Sequence, residues 1–345
     1  MQRNRNAETP HSRPVSPSPH RRQTRQPPPV TRHPSPLPGL IPRKGYLFVV
    51  AAAIMWAVSG TSSKYLFNQG VTPFQLVQLR VTLSTAFLFL MLLPRRTLLE
   101  ISLRDIPYFA LLGISGLAMV MFTYFYAISK INVAVAVLLE YLAPVFIALF
   151  YGFTAPEKLT RTTLVAVILS VFGCYLCVGA YNVNFLALNW QGIVAGIFSG
   201  LAYAWYAIYG ERGMRRYDPW TVVFYAFLFA SLFWNLAIAP FGAFRVPFTG
   251  VQWFWIAYIV VFGTAVPYGL YTIGISLVRS TRASVTATLE SLAAAFTAWI
   301  FLGESLHPFQ MLGGALVIAS IIVLQLNREY DQSTSSIIRE KAEPH

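Results

Sequence analysis

Residues 139–144 read Leu139-Glu140-Tyr141-Leu142-Ala143-Pro144, and 150 positions later the chain reads Leu289-Glu290-Ser291-Leu292-Ala293-Ala294. At the same offset Gly113 meets Gly263 and Phe146 meets Phe296, while Thr72-Pro73 has its counterpart in Asp218-Pro219. Each of the two hexamers lies inside an apolar run, where a carboxylate at the bilayer centre costs at least ~2.5–3.5 kcal/mol on insertion scales. A chain that carries this cost twice, in the same context, is a duplicated membrane protein.

Working outward, apolar runs near 46–66, 74–93, 107–128, 131–151 and 163–181 form a first set, and runs near 190–210, 220–241, 253–277, 283–302 and 308–327 form a second. Each is about as long as the ~20 residues needed to span hydrocarbon. No period-two alternation runs through them, and the backbone must satisfy itself within lipid, so the spans are expected to be helices. The fold class is all-α and polytopic, with ten transmembrane helices in two five-helix repeats. Five is odd, so the second copy is expected to sit upside down relative to the first. Inverted repeats are a transporter architecture with a substrate site near the midplane; a duplicated scaffold without transport is the alternative.

Composition agrees. Of 345 residues, 56% are apolar and only 11% charged, with mean hydropathy +0.55. A soluble domain carries about 25% charged residues, so a soluble enzyme, a coiled coil and a wholly disordered chain are excluded. The formal charge of +13 raises nucleic acid as a partner in a soluble protein. Here the position of the charges relative to a bilayer matters more. Residues 1–44 contain 11 of the 22 prolines and nine basic residues, and read as a disordered, partly polyproline cytoplasmic tail. Residues 328–345 read as a second cytoplasmic tail. Placing the N-terminus in the cytoplasm puts 22 of the 26 basic residues inside and leaves Lys64, Lys130 and Arg245 outside, with Arg80 in a span. The positive-inside rule then sets both termini in the cytoplasm. No nucleic-acid partner is expected, and the plasma membrane is the expected location. Cys174 and Cys177 fall in an apolar span and read as buried thiols.

The sequence resembles the EamA family of the drug/metabolite transporter superfamily. The resemblance rests on Ser284 through Ile300, Leu302-Gly303-Glu304-Ser305-Leu306 and Gly313-Gly314-Ala315-Leu316. The first half supplies Leu138 to Ile147 and Glu157-Lys158-Leu159-Thr160. The two copies cover about 46–181 and 190–327. Two places differ from the family pattern: Phe153-Thr154-Ala155-Pro156 replaces a usual Leu-Gly pair, and Ala294 stands where a proline often follows the glutamate. The resemblance implies two inverted five-helix repeats that move small metabolites, often by export of amino acids or drugs. An intramembrane arginine near position 80 also recurs in the family.

Glu140 lies about 13.5 Å inside its span and Glu290 about 12 Å inside its own, at 1.5 Å per residue, from opposite faces. Both therefore approach the midplane. Ala136, Glu140, Ala143 and Pro144 form one helical stripe, and Ala283, Thr286, Glu290, Ala294 and Thr297 another; such small, weakly polar faces meet protein or a cavity. Each glutamate is either a structural carboxylate held between helices or a site for protons or a substrate cation. Arg80, about 9 Å below the outer boundary, either snorkels outward or pairs with a glutamate or a substrate carboxylate. Trp56, Tyr124, Tyr141, Tyr203, Tyr206, Tyr268 and Tyr271 are candidate pocket-lining residues, as mid-span rings near a carboxylate can enclose an amine; ordinary packing is the alternative for each. Tyr126 pairs with Tyr124 in sequence. Gly192, Gly196 and Gly200 form a stripe for close helix packing, and Pro144 and Pro267 are expected kink points.

Absences narrow the function. His11, His20, His33, His307 and His345 all lie outside the spans, no glycine-rich nucleotide loop ends in Lys-Ser/Thr, and no Ser/His/Asp set falls at membrane depth. No enzyme, cofactor or metal is expected. The expected function is secondary transport, as an exporter of a small polar metabolite such as an amino acid or drug-like amine, by alternating access. Its partners are a small-molecule substrate, the lipid bilayer and, as candidate coupling ion, the proton. A facilitator or importer of an amine or quaternary cation is the second reading, and a membrane scaffold or sensor the third. Oligomeric state is open.

Overall fold

The structure is a computed structural model that describes residues 41–131, 133–154, 160–183, 189–237, 240–302 and 307–326. The N-terminal tail to residue 40, the segment 155–159 with Lys158, Gly303 to Leu306, and the C-terminal tail lie outside the described residues.

Among the described residues all regular structure is helical: α1 (Ile41–Asn68), α2 (Pro73–Leu92), α3 (Ile106–Leu111), α4 (Met119–Lys130), α5 (Val133–Glu140), α6 (Ala143–Thr154), α7 (Arg161–Cys177), α8 (Trp190–Gly213), α9 (Pro219–Ala237), α10 (Gly250–Val260), α11 (Val266–Ala287), α12 (Leu289–Leu302) and α13 (Pro308–Leu326). Helix starts are written locally. Thr72 caps α2 in a capping box with Gln75, with Pro73 as first residue; the matching Asp218 accepts from the Trp220 amide at 2.9 Å ahead of α9. These side chains satisfy amides that have no partner inside the helix.

Eight helical stretches are long and apolar enough to cross a membrane, against the ten spans read from the sequence. The difference has two sources. Helix α7 is apolar but has 17 residues, and the run Gly250–Ala287 is one 38-residue stretch separated by a short break from α12, which has 14 residues. The outer surface is hydrocarbon-compatible: Phe153 is 86% and Leu236 81% exposed. Polar side chains turn inward and join helices. Asn235 on α9 donates to Thr82 on α2 at 2.9 Å and accepts from Gln78 at 3.2 Å, and Ser84 donates to the Val260 carbonyl at 3.0 Å. With no water to compete, such bonds link helices that lipid alone would not drive together.

The duplication is visible in the packing. Helix α1 packs on α11 and α12, and its counterpart α8 packs on α4 and α5. Equivalent helices also meet across the two copies, α2 with α9 and α7 with α13. Glycines make the approaches possible. A Cβ at Gly45 would lie 2.6 Å from Val278, and one at Gly192 the same 2.6 Å from Ile131. A Cβ at Gly173 would lie 2.8 Å from the Gly313 carbonyl oxygen, and one at Gly313 would lie 2.6 Å from that of Gly173.

Both copies also carry the same backbone irregularities. A π-helical segment spans Leu112–Ala118 between α3 and α4, and another spans Val261–Ala265 between α10 and α11; such segments recur at functional sites. Helices break beside each glutamate. Tyr141 and Leu142 separate α5 from α6, and Pro144 has no N–H for the Glu140 carbonyl, its ordinary helical partner. In the second copy Ala294 replaces that proline, and the break comes earlier, at Thr288. Here hydroxyls bend the chain: Thr286 donates to the Arg282 carbonyl at 2.8 Å, Thr288 to Val285 at 2.6 Å and Ser291 to Thr288 at 2.7 Å. Such back-bonding competes with the helical ladder. Within α11, Arg279 has φ 72° and ψ 162°, a conformation that costs a non-glycine residue about 1–3 kcal/mol. It divides the sequence-predicted eighth and ninth spans.

Substitution of Gly313 by leucine should wedge α7 from α13. Overpacking of a close contact costs about 1–3 kcal/mol, so the unfolding midpoint in detergent is expected to fall. The same substitution at Gly60, where a Cβ would meet nothing within 4 Å, should leave it near wild type.

Candidate functional site

Glu140 closes α5, and Glu290 is the second residue of α12. Both are half-buried, as is Arg80 on α2. The fully buried Ser199 of α8 donates from Oγ to Glu140 Oε2 at 2.9 Å. Glu290 has the Tyr141 hydroxyl as its hydrogen-bonding neighbour. Tyr141 follows Glu140 directly, so this side chain ties the break of one copy to the break of the other.

Arg80 does not reach outward alone. Its Nε donates to Thr264 Oγ1 at 3.1 Å and its Nη2 to the Gly263 carbonyl at 3.3 Å. Both acceptors lie in the π-helical segment of the second copy. Pro267 explains the choice, since it has no N–H for the Gly263 carbonyl four residues earlier. Thr264 is itself fixed by donating to the Ile259 carbonyl at 2.9 Å. Thus positioned, Arg80 interacts electrostatically with both Glu140 and Glu290. The structure brings together all three ionisable residues singled out from the sequence.

The aromatic candidates divide into two layers. Tyr124 on α4 and Tyr268 on α11 are half-buried and lie in the electrostatic range of Arg80 and both glutamates. Trp56 on α1 packs on Tyr268 at 5.1 Å and on Tyr271 at 5.3 Å between ring centroids. Tyr203 stacks on Tyr271 at 5.8 Å, and Tyr206 meets Tyr268 edge-on at 6.2 Å. Tyr141, Tyr203, Tyr206 and Tyr271 are buried and form the wall behind the half-buried rings. The indole Nε1 of Trp56 is buried with no hydrogen-bond acceptor among the described residues, a donor left unmet. Tyr126 falls elsewhere: its hydroxyl is 3.4 Å from Gln191 Oε1 and its ring lies under Lys130 at 5.6 Å, at the end of α4.

Several residues at the site were not singled out in advance. Ser199 lies within the glycine stripe of α8, where Gly200 brings the backbone so near that a Cβ would sit 2.8 Å from the Leu139 carbonyl and 3.1 Å from that of Glu140. The stripe therefore serves the broken segment of the first copy. Thr264 is legible only once the π turn is known. Cys174, buried as expected, places Sγ 3.5 Å from Ser291 Oγ beside the second break. A cavity of about 720 Å³ lies between α5, α6 and α7, lined by apolar side chains such as Leu142, Leu149, Phe153, Ile168 and Phe172.

Residues 43–179 and 190–326 each match the EamA-like transporter family. An uncharacterized transporter of Archaeoglobus fulgidus is 30% identical over 81% of this chain and 96% of its own length. The threonine/homoserine exporter RhtA of Escherichia coli is 27% identical over 58% of this chain and 65% of its own, and the pseudopaline exporter CntI of Pseudomonas aeruginosa 24% over 83% and 98%. A solved crystal structure shares the fold with a TM-score of 0.69 at 19% identity, covering 81% of this chain and 96% of that one. A duplicated, all-helical chain of this similarity is an integral membrane transporter, and it belongs to the EamA-like transporter family.

Proposed function

We propose that the protein is a secondary exporter of small zwitterions, with amino acids as the leading class, and that Glu140, Glu290 and Arg80 form its substrate and proton site. The observation that carries this reading is the convergence of two carboxylates and one guanidinium, all half-buried, on two helix breaks. In a medium of low polarity charges must be balanced. With both carboxylates ionised the trio carries one net negative charge and suits an ammonium group. With one protonated it is neutral, and an amino acid fits without net charge: its carboxylate takes Arg80 and the unmet Trp56 donor, its ammonium takes the remaining glutamate. Protonation of this remaining glutamate removes the partner of the ammonium, so proton and substrate compete for one carboxylate and exchange across the membrane. Two relatives bearing the name exporter support the direction, and threonine and homoserine are amino acids of this kind.

In this reading α7 and α12 also cross the membrane, giving ten spans in two inverted repeats over 46–181 and 190–327, with both terminal tails in the cytoplasm and the protein in the plasma membrane. Access alternates as one repeat rocks against the other about the glutamates. A second reading, a facilitator or importer of a quaternary cation, is favoured by the rings of Trp56, Tyr124 and Tyr268 beside a carboxylate.

Flux across an imposed proton gradient in proteoliposomes checks the first reading. Glu290→Gln and Glu140→Gln are each expected to reduce amino-acid flux at least tenfold and to remove its response to the gradient; unchanged flux and pH response in both would exclude proton coupling through this pair. Thermal stabilisation by choline-like cations but not by amino acids would favour the second reading.

The hydrogen bond from Ser199 should couple to Glu140. A buried charged acceptor left without its donor costs about 1–3 kcal/mol, so Ser199→Ala should lower stability in the wild type and much less in Glu140→Gln, a difference read from a double-mutant cycle in detergent.

Removal of residues 1–40 is expected to leave flux within about twofold of wild type, since every residue proposed for the site lies between positions 56 and 290. Abolished function with intact membrane insertion would favour a scaffold or sensor worked through the tail.

A further inference from the structure

A third acidic side chain is buried away from the charged centre. Glu211, near the end of α8, is 4% exposed. Its Oε2 accepts from the Ser280 amide at 2.9 Å, from Ser280 Oγ at 2.6 Å and from the Tyr151 hydroxyl at 3.1 Å. Its Oε1 lies 3.9 Å from Arg279 Nε. Three elements thereby meet on one carboxylate: the end of α6, the end of α8 and the hinge inside α11. A small cavity of about 150 Å³ opens beside it, lined by Tyr151, Thr154, Ile208, Glu211, Arg212 and Arg215. Arg212, Arg215, Arg216, Arg279 and Arg282 crowd this end in the sequence, which is the cytoplasmic end in the orientation proposed above.

The hinge it grips is the strained one. Arg279 holds φ at 72°, and Ser280 supplies the first amide of the helical segment that follows. A carboxylate on that amide caps the segment and complements its dipole, so the contacts of Glu211 stabilise a backbone turn that arginine does not favour on its own. Glu290 lies ten residues further on, about 15 Å at the helical rise, just past the Thr288 break.

The equivalent hinge of the first copy is built differently. Ile131, between α4 and α5, is buried with Ala127, Val135, Ala136 and Ala195, and its closure among these described residues is apolar. Among the described residues, one hinge carries a charged hydrogen-bonded knot and the other this apolar cluster.

We propose that Glu211 is the latch of the cytoplasmic end. While it holds Ser280 and Tyr151, the ends of α6 and α8 are drawn to the α11 hinge and passage from that side is shut. Release of these bonds frees the Arg279 hinge, parts α6 from α8 and exposes the route towards Glu290. Glu211 is a positioning residue that acts on transport through the hinge. The proposal rests on the transport reading and its orientation, but its test needs no substrate.

The test is side-specific thiol labelling in the full-length protein with Cys174 and Cys177 changed to alanine. The probe is Ile208→Cys, a position 5% exposed, nearly one turn deeper along α8 than Glu211, labelled by a membrane-impermeant maleimide in inside-out vesicles. Glu211→Gln is expected to speed labelling roughly tenfold or more, the shift of a closed–open equilibrium produced by weakening hydrogen bonds to a charged acceptor. Tyr151→Phe should give a smaller increase. A second probe at the opposite hinge, Ala195→Cys in right-side-out vesicles, should label no faster, because opening one end keeps the other closed. Unchanged labelling at Ile208→Cys, or equal acceleration at both probes, overturns the latch. Should Glu211→Gln fail to accumulate in membranes, Tyr151→Phe decides the matter by the same two probes. A negative result here leaves the glutamate pair and its flux experiment untouched, and a failure of that experiment leaves these labelling rates as they are.

Discussion

Inside hydrocarbon a helix is the one open-chain structure that satisfies its own backbone, so a broken helix at membrane depth survives only where protein encloses the break. Glu140 and Glu290 both stand at such breaks, and much of the surrounding packing follows. Gly200 and Ser199 of α8 close over the first, the glycine by bringing backbone against the Leu139 and Glu140 carbonyls and the serine by donating to the carboxylate. The second is lined by its own hydroxyls and by Cys174 of α7. Tyr141 joins the two. An unpaired charge or backbone group here would cost several kcal/mol, which explains why helices from both copies converge on these two short stretches.

The same accounting assigns Arg80. A proline in a membrane helix leaves a carbonyl without its usual donor, and some neighbour must supply one. Pro267 does this to Gly263, and the guanidinium of Arg80 takes that carbonyl together with Thr264. The arginine is thereby held beside the carboxylates by the second repeat although it belongs to the first. Having five donors, it retains hydrogen-bonding capacity beyond these two contacts, which the proposed contact with a substrate carboxylate would use.

Much of this was readable from residue order alone. The apolar runs located the helices, and the repeat of Leu-Glu at positions 139 and 289 paired the two carboxylates, because both signals are periodic and need no tertiary information. What could not be read depends on tertiary competition. The π-helical segments at 112–118 and 261–265 have no compositional mark beyond the paired Gly113 and Gly263. The break at Thr288 was hidden since a proline was the expected signal and hydroxyl back-bonding replaces it. Most telling is Glu211. Hydropathy places it at the end of an apolar run among three arginines, where a solvated acid is unremarkable, so the sequence yields three ionisable residues at depth. The structure buries Glu211, Arg279 and Arg282 as well, at 4%, 7% and 5% exposure. Only the fold of α11 over the end of α8 reveals that.

Duplication supplies symmetry, but a transporter needs its two ends to differ, because a carrier with equal closures at both faces has no preferred resting side. The chain differs where the two copies would otherwise be equivalent. Gly45 of α1, packed against α11, mirrors Gly192 of α8 at the first hinge, and the π segments and breaks recur. The fastenings differ among the described residues: the first hinge packs Ile131 on alanines, and the second gathers Glu211, Ser280, Tyr151 and a strained Arg279. Methyl packing is non-directional and yields gradually as surfaces slide, whereas a carboxylate knot holds in one geometry and loses most of its strength with a displacement of about 1 Å. On the proposed latch, a charged knot at one face and apolar packing at the other, acting on one pair of equivalent glutamates, would bias a duplicated scaffold towards the state in which the knot is intact.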